Sequence, residues 1–304
     1  MFRQFFIALS KSRSLRKFAE SSPIGQKMSR RFVAGLTVED ALVAAKAMND
    51  LGISVSVDNL GEFVTNAEES KESAALYHRI LDEITARKLD ANVSLKLTHM
   101  GLDVDESMCR ELVCGLVRHA AQVNNFVRVD MENSPYTQKT LDFVYHLYRE
   151  YPGHAGAVIQ SYMRRAEQDV RDLCAAGIRI RLCKGAYREP PEVAFQKKSE
   201  VDENYVKLAK IMLKSGVYHG LATHDERIIR ELIAYAKAEN ISPDSFEFQM
   251  LHGVRRDLQV GLVKQGWRMR VYIPFGTEWY PYLMRRLAER PANALFIAKN
   301  LFRQ

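Results

Sequence analysis

RVYIPFGTEWYPYLMRRLAERPAN, residues 270–293, compresses a strand, a turn and a helix into one short stretch. Arg270 to Ile273 alternate and carry β-branched or aromatic side chains, which reads as a strand stopped by Pro274 and Gly276. Thr277 is an N-cap candidate, Glu278 puts an acid in the first turn and Pro291 closes the run, so a helix is expected from Glu278 to Arg290. Tyr282, Arg285, Arg286 and Glu289 then share a face. A solvated, salt-bridged face would explain that spacing equally well. The adjacent guanidiniums of Arg285 and Arg286 shift the balance, because beside Trp279, Tyr280 and Tyr282 they suit an anionic ligand, a carboxylate above all.

The same strand-then-helix rhythm runs upstream. β-rich runs fall at Ile53–Asp58, Asn92–Leu97, Phe126–Met131, Ala157–Ser161, Ile178–Lys184, Gly220–His224, Phe246–Met250 and Met269–Ile273, each separated from the next by a helix-length stretch. Eight such units predict an α/β protein of the (βα)8 TIM-barrel type. A doubly wound open sheet is the alternative, disfavoured because no GxGxxG follows any strand. Ahead of the barrel, helical pieces broken near Lys11 and at Ser22-Pro23 precede a helix over Val38–Asn49 behind a Thr37 cap. The expected division is an N-terminal helical extension, 1–50, and a barrel, 51–304.

The 304 residues are 47% hydrophobic, ample for a buried core, and the apolar runs are too short and too often charged to span a membrane. MFRQFFIALS is too brief an apolar segment for a signal peptide and is followed by Lys11, Arg13, Arg16 and Lys17, so a cytoplasmic location is expected. Residues 1–31 hold eight Lys/Arg against Glu20 alone, leaving 36 basic and 36 acidic residues for the rest. The balanced body argues against a nucleic-acid groove. The basic N-terminus suits either a solvated appendage or peripheral contact with an anionic membrane face. Cys109, Cys114, Cys174 and Cys183 form no CxxC pair, so neither a disulfide framework nor a metal site is expected.

In a (βα)8 barrel, function gathers at the C-terminal ends of the strands. Polar residues collect there: Lys96, Asp130, Gln160, Arg181, Lys184, Thr223, His224 and Tyr272. One alone would be a packing residue, but together they predict a polar cavity. Arg285, Arg286 and Lys96 supply positive charge for a small carboxylate, and Asp130 is expected to pair with Lys96. No Ser-His-Asp order, GxSxG elbow or metal triad is visible, which makes an organic cofactor the economical source of reactivity. The Lys184-Gly185-Ala186 turn could approach a phosphate or ring, with Gln160, Thr223 and His224 bonding to a heterocycle.

SLKLTHMG (94–101), RVDMENS (128–134), VIQSYMRR (158–165), RLCKGAY (181–187), LATHD (221–225), FEFQMLHG (246–253) and the opening stretch resemble, in order, the proline dehydrogenase family of flavoenzymes over roughly residues 50–303. The resemblance implies a distorted barrel with FAD bound non-covalently at the strand ends and the last helix over the active site. It further implies that Arg285, Arg286 and Lys96 bind the proline carboxylate. Tyr272 and Leu251 would pack on the pyrrolidine ring, with Tyr187 and Tyr282 completing the pocket. Asp130 would hold the site in register and Arg181 would sit beside the flavin N5. Met131, Gln160, Lys184, Gly185, Ala186, Thr223 and His224 would contact FAD, Glu289 would brace an arginine, and Glu62 would close the site against Arg285. His99 and Cys183 depart from the family's usual wording. The implied reaction is oxidation of L-proline to Δ1-pyrroline-5-carboxylate, hydride passing from C5 to the flavin and electrons to a quinone, the product going to a separate pyrroline-5-carboxylate dehydrogenase. A Schiff-base aldolase using Lys96 or Lys184 is the alternative enzyme. A basic adaptor binding membrane or nucleic acid through its N-terminus is the non-enzymatic one.

Overall fold

A computed structural model describes Ser22 and residues 31–289, and the side chains of residues 285–289 lie outside it. Eight parallel strands close into a barrel in sequence order. They are β1 (Ser54–Asn59), β2 (Ala91–Leu95), β3 (Val127–Val129), β4 (Ala155–Gln160), β5 (Arg179–Cys183), β6 (His219–Ala222), β7 (Phe246–Leu251) and β8 (Met269–Phe275). The helices are α1 (Val38–Asn49), α2 (Ala67–Ala86), α3 (Glu106–Gln122), α4 (Ser134–Glu150), α5 (Ala166–Ala175), α6 (Lys198–Lys214), α7 (Glu226–Ala238), α8 (Arg256–Lys264) and α9 (Trp279–Glu289). This is the expected TIM-type architecture. The α1 bounds and the Thr37 capping box, completed by Asp40, agree with the sequence signal. The helices expected before residue 31 lie outside the described residues.

Period-two alternation along the strands separates two interiors. Val55, Val57, Val93, Leu95, Val127, Val129, Ile180, Leu182, Phe248, Val271 and Ile273 are fully buried against the helices and form the main apolar core. The alternate residues point into the barrel, where polar groups stand in place of the branched aliphatic layers usual in this fold. Arg181, for example, reaches Ser56, Ser94 and Gln249 on three other strands and Asp130 just past the end of β3. Glycine makes room for such large side chains. A Cβ at Gly156 would lie 2.7 Å from Arg128 Nη1, and one at Gly220 would strike the Gln249 amide.

Most strand ends fall one to two residues from the sequence reading, and two of these differences bear on the site. β8 continues through Pro274 to Phe275, since at the rim a missing N–H forfeits one ladder bond while the Pro274 carbonyl accepts from Ala34 N at 2.9 Å. β2 stops at Leu95, so Lys96 lies just beyond the sheet, in a turn where His99 N and Met100 N both donate to its carbonyl. Over the mouth, α9 packs Trp279, Tyr280, Tyr282, Leu283 and Met284 on Val33 and Leu60, a small apolar cluster separate from the main core.

Candidate active site

Three acids and two cations organise the barrel mouth. Asp130 follows β3, its backbone N–H donating to Leu95 O at 2.8 Å. One carboxylate oxygen accepts from Arg181 Nη1 at 2.7 Å and Ser94 Oγ at 2.8 Å, and the other from Tyr272 Oη at 2.9 Å. Arg181 also donates to Gln249 Oε1 at 2.7 Å and lies 5.0 Å from the centre of the Tyr272 ring. Tyr272 on β8 is in register with Leu251 on β7, so the two residues expected to flank a ring-shaped substrate are neighbours on adjacent strands.

Lys96 corrects one expectation. Its direct partners are Asp58 at 3.8 Å and Glu62 at 3.9 Å, and the carboxylate of Asp130 is taken up by Arg181 instead. The guanidinium wins because it enters from β5 at the depth of Asp130, whereas Lys96 has turned out of the sheet. Burial alone would pull the Lys96 ammonium down, but Asp58, Glu62 and Asp130 outweigh it and hold the group above its ordinary value. Asp58 is fully buried, and burial together with the Asp130 charge pushes its pKa up to about 6 despite Lys96.

The other expected residues form a second group around β4, β5 and β6. Lys184 is held between Asp202 at 2.6 Å and Asp225 at 3.0 Å. Burial raises both carboxyls, yet the bond to Lys184 leads a larger set of downward effects and keeps each below its usual value. Gly185 has φ +111°, and a side chain there would run into the Tyr162 ring. Gln160 donates to Glu132 O at 2.8 Å, Thr223 Oγ1 accepts from Asp225 N at 3.1 Å, and His224 Nε2 accepts from Leu251 N at 2.9 Å. That last bond leaves the neutral His224 ring protonated on Nδ1. Met131 is buried, while Ala186 and Tyr187 are half-buried. Tyr282 is buried in the apolar cluster over the mouth. Arg285, Arg286 and Glu289 belong to α9, and their side chains lie outside the described residues.

The sequence reading passed over Asp58, Ser56, Ser94 and Gln249, which complete the network, and Arg270 with Glu247 and Asn92, which form a charged layer beneath it. Buried Glu132 was also missed. It accepts from Thr98 N and Oγ1, and burial raises its pKa to about 7 in spite of those bonds. The signal was present in the alternation: in SVSVDN the polar residues at 54, 56 and 58 share the inward face.

A (βα)8 barrel with a buried, mutually charged cluster at its strand C-termini defines the class: a barrel enzyme with a preorganised polar site. The family model described as proline dehydrogenase matches residues 41–299. Proline dehydrogenase 2 of Bacillus subtilis (strain 168) is 40% identical over 300 residues, covering 98% of each chain. The proline dehydrogenase of Deinococcus radiodurans is 38% identical over 280 residues, covering 91% of this chain and 90% of its own. A crystal structure of proline utilization A from Bdellovibrio bacteriovorus inactivated by N-propargylglycine superposes with a TM-score of 0.82 at 26% identity, over 88% of this chain and 33% of that one. The chain belongs to the proline dehydrogenase family.

Proposed function

We propose that this chain oxidises L-proline to Δ1-pyrroline-5-carboxylate with a non-covalently bound FAD and passes the electrons to a quinone, the first step of proline degradation to glutamate. The observation that carries the reading is the Asp130–Arg181–Tyr272 network set beside Lys96 at the strand ends, in a chain of this family. When bound, the flavin supplies the hydride acceptor and the route for electrons to the quinone.

The residues of the second group fit such a cofactor in their chemistry. The Cys183–Tyr187 segment is half-buried at the mouth, and Gly185 presents backbone where a side chain has no room. Gln160, Thr223 and His224 are each anchored by a bond to the protein backbone, so their remaining polar atoms are fixed in direction. Lys184 offers a cation whose charge is already balanced by two acids, which suits one contact within a larger anion site better than sole neutralisation of a phosphate.

Substrate handling falls to the first group. Lys96, with Arg285 and Arg286 from α9, holds the carboxylate. Leu251 and Tyr272 fix the ring, Tyr187 and Tyr282 close the pocket, and Asp130 holds the Tyr272 hydroxyl and Arg181 in place. A fixed orientation lowers the barrier more than acid-base chemistry would here. The ring amine must react as the free base, and three nearby cations favour that form. Glu62 reaches Lys96 in this state and is suited to exchange towards Arg285 when the site closes.

The Schiff-base alternative needs an uncharged lysine free to attack, whereas Lys96 is held charged by its carboxylate neighbours and Lys184 is clasped between Asp202 and Asp225. Anaerobic addition of L-proline should bleach the visible flavin band of the purified protein. Bound flavin that stays oxidised would reject proline as the substrate, and a colourless protein that cannot be reconstituted with FAD would reject the cofactor.

A further inference from the structure

Away from the mouth, on the outer wall of the barrel, α3 and α4 bring together Cys114, His146 and Glu150. One ligand atom from each of the three lies within 4.8 Å of the others. We propose that these residues form a binding site for a thiophilic divalent cation, zinc by preference, that clips α3 to α4.

The geometry follows from helix spacing. His146 and Glu150 are one turn apart on α4, so their side chains share a face, with Nε2 and Oε1 3.4 Å apart. That separation is close to the edge of a tetrahedron built on zinc bonds of about 2.0–2.1 Å. Cys114 closes the third corner from the middle of the neighbouring helix. A thiolate, an imidazole and a carboxylate favour zinc over magnesium or calcium, which prefer oxygen donors throughout. Cys114 is half-buried and Glu150 is exposed, so an ion can enter and water can take the fourth position. Glu150 is also the last residue of α4, where the helix carbonyls favour positive charge. Arg110 and Arg118 are the cations whose charge acts on the thiol, and both guanidiniums are engaged: Arg110 lies 4.5 Å from the Phe143 ring centre, and Arg118 donates to Tyr151 Oη at 3.0 Å. No CxxC or HxxxH pattern marks the site, because its ligands come from two helices about thirty residues apart in sequence.

The test is alkylation of the purified holoprotein with iodoacetamide, mapped by peptide mass, with and without zinc chloride. Zinc should slow labelling of Cys114 roughly tenfold or more, chelator should restore it, and magnesium should have no effect. Labelling of Cys174 should not change. In H146A and E150Q, both partly solvent-exposed substitutions, protection should be lost or strongly weakened while far-UV circular dichroism stays native. Equal labelling of Cys114 with and without zinc would overturn the proposal, as would full protection persisting in H146A. Proline-dependent flavin reduction should be unaltered in both variants, since the site lies outside the barrel mouth.

Discussion

Asp58 carries the most informative single substitution. Its carboxyl is buried at the end of β1, 3.8 Å from Lys96, with a pKa raised by burial to about 6. A folded pKa above the unfolded one means that the native state holds the extra proton between about pH 4 and 6, so the group's contribution falls as pH rises through that window. Asp58→Asn should therefore gain stability relative to the parent at pH 8 compared with pH 4, by up to about 3 kcal/mol, read from urea midpoints at the two pH values. The same variant should raise the proline KM, because Lys96 loses a carboxylate that orients it. An identical pH dependence of stability in both proteins would mean that Asp58 is ionised without cost. For the proposed carboxylate clamp, Arg286→Lys should raise the proline KM sharply with a smaller effect on kcat, since a bidentate fork would become a point charge. An unchanged KM would remove Arg286 from carboxylate binding.

At the scale of elements, the loop after β5 is the most constrained. Gly185 combines a positive φ with the Tyr162 ring against its Cα, so Gly185→Ala must move the loop that carries Lys184 and Ala186. The expected outcome is a protein that folds with native far-UV circular dichroism but retains less FAD through gel filtration. Full flavin content would place the cofactor away from this loop. On the helices, Thr37 accepts from Asp40 N and Asp40 bonds back to Thr37 N, a reciprocal cap at the start of α1. Thr37→Ala should cost about 1 kcal/mol by chemical denaturation with no change in proline KM. Such caps are local, and so the α1 boundaries could be read directly from the chain. β8 could not be ended by its proline rule, because the fate of Pro274 depends on Ala34, which meets it only in the folded barrel.

For the whole molecule, two buried histidines shape the acid limb of stability. Burial, with the Arg128 and Arg179 charges, pulls His219 down to about 3, and burial with Lys96 pulls His99 down to about 4. His219 Nδ1 accepts from Ile180 N at 3.0 Å, so the neutral ring ties β6 to β5. The unfolded chain binds these protons near pH 6.5 and the folded chain does not, so stability declines as pH falls below about 6.5, by up to about 1.4 kcal/mol per pH unit for each such ring. His219→Asn, which keeps an acceptor near Nδ1, should flatten that decline between pH 6.5 and 4 in denaturant titrations. A slope equal to the parent's would show that His219 protonates freely in the native state. No helix among the described residues is long and apolar enough to cross a membrane. The basic segment 1–31, the candidate for membrane contact, lies outside the described residues save Ser22 and Arg31.

The sequence by itself determined the architecture and the placement of several candidate-site residues near the strand ends. Strand–helix alternation, local caps and the strand-end positions of Lys96, Asp130, Gln160, Arg181 and Tyr272 are properties of near neighbours in the chain, so periodicity exposes them. Only the tertiary structure decided who pairs with whom. Lys96 turned to Asp58 and Glu62, and Asp130 was taken by Arg181. Cys114 met His146 across two helices. Pairing energies depend on the depth and direction of side chains arriving from different strands, quantities that exist only once the barrel closes and water has been excluded from its interior.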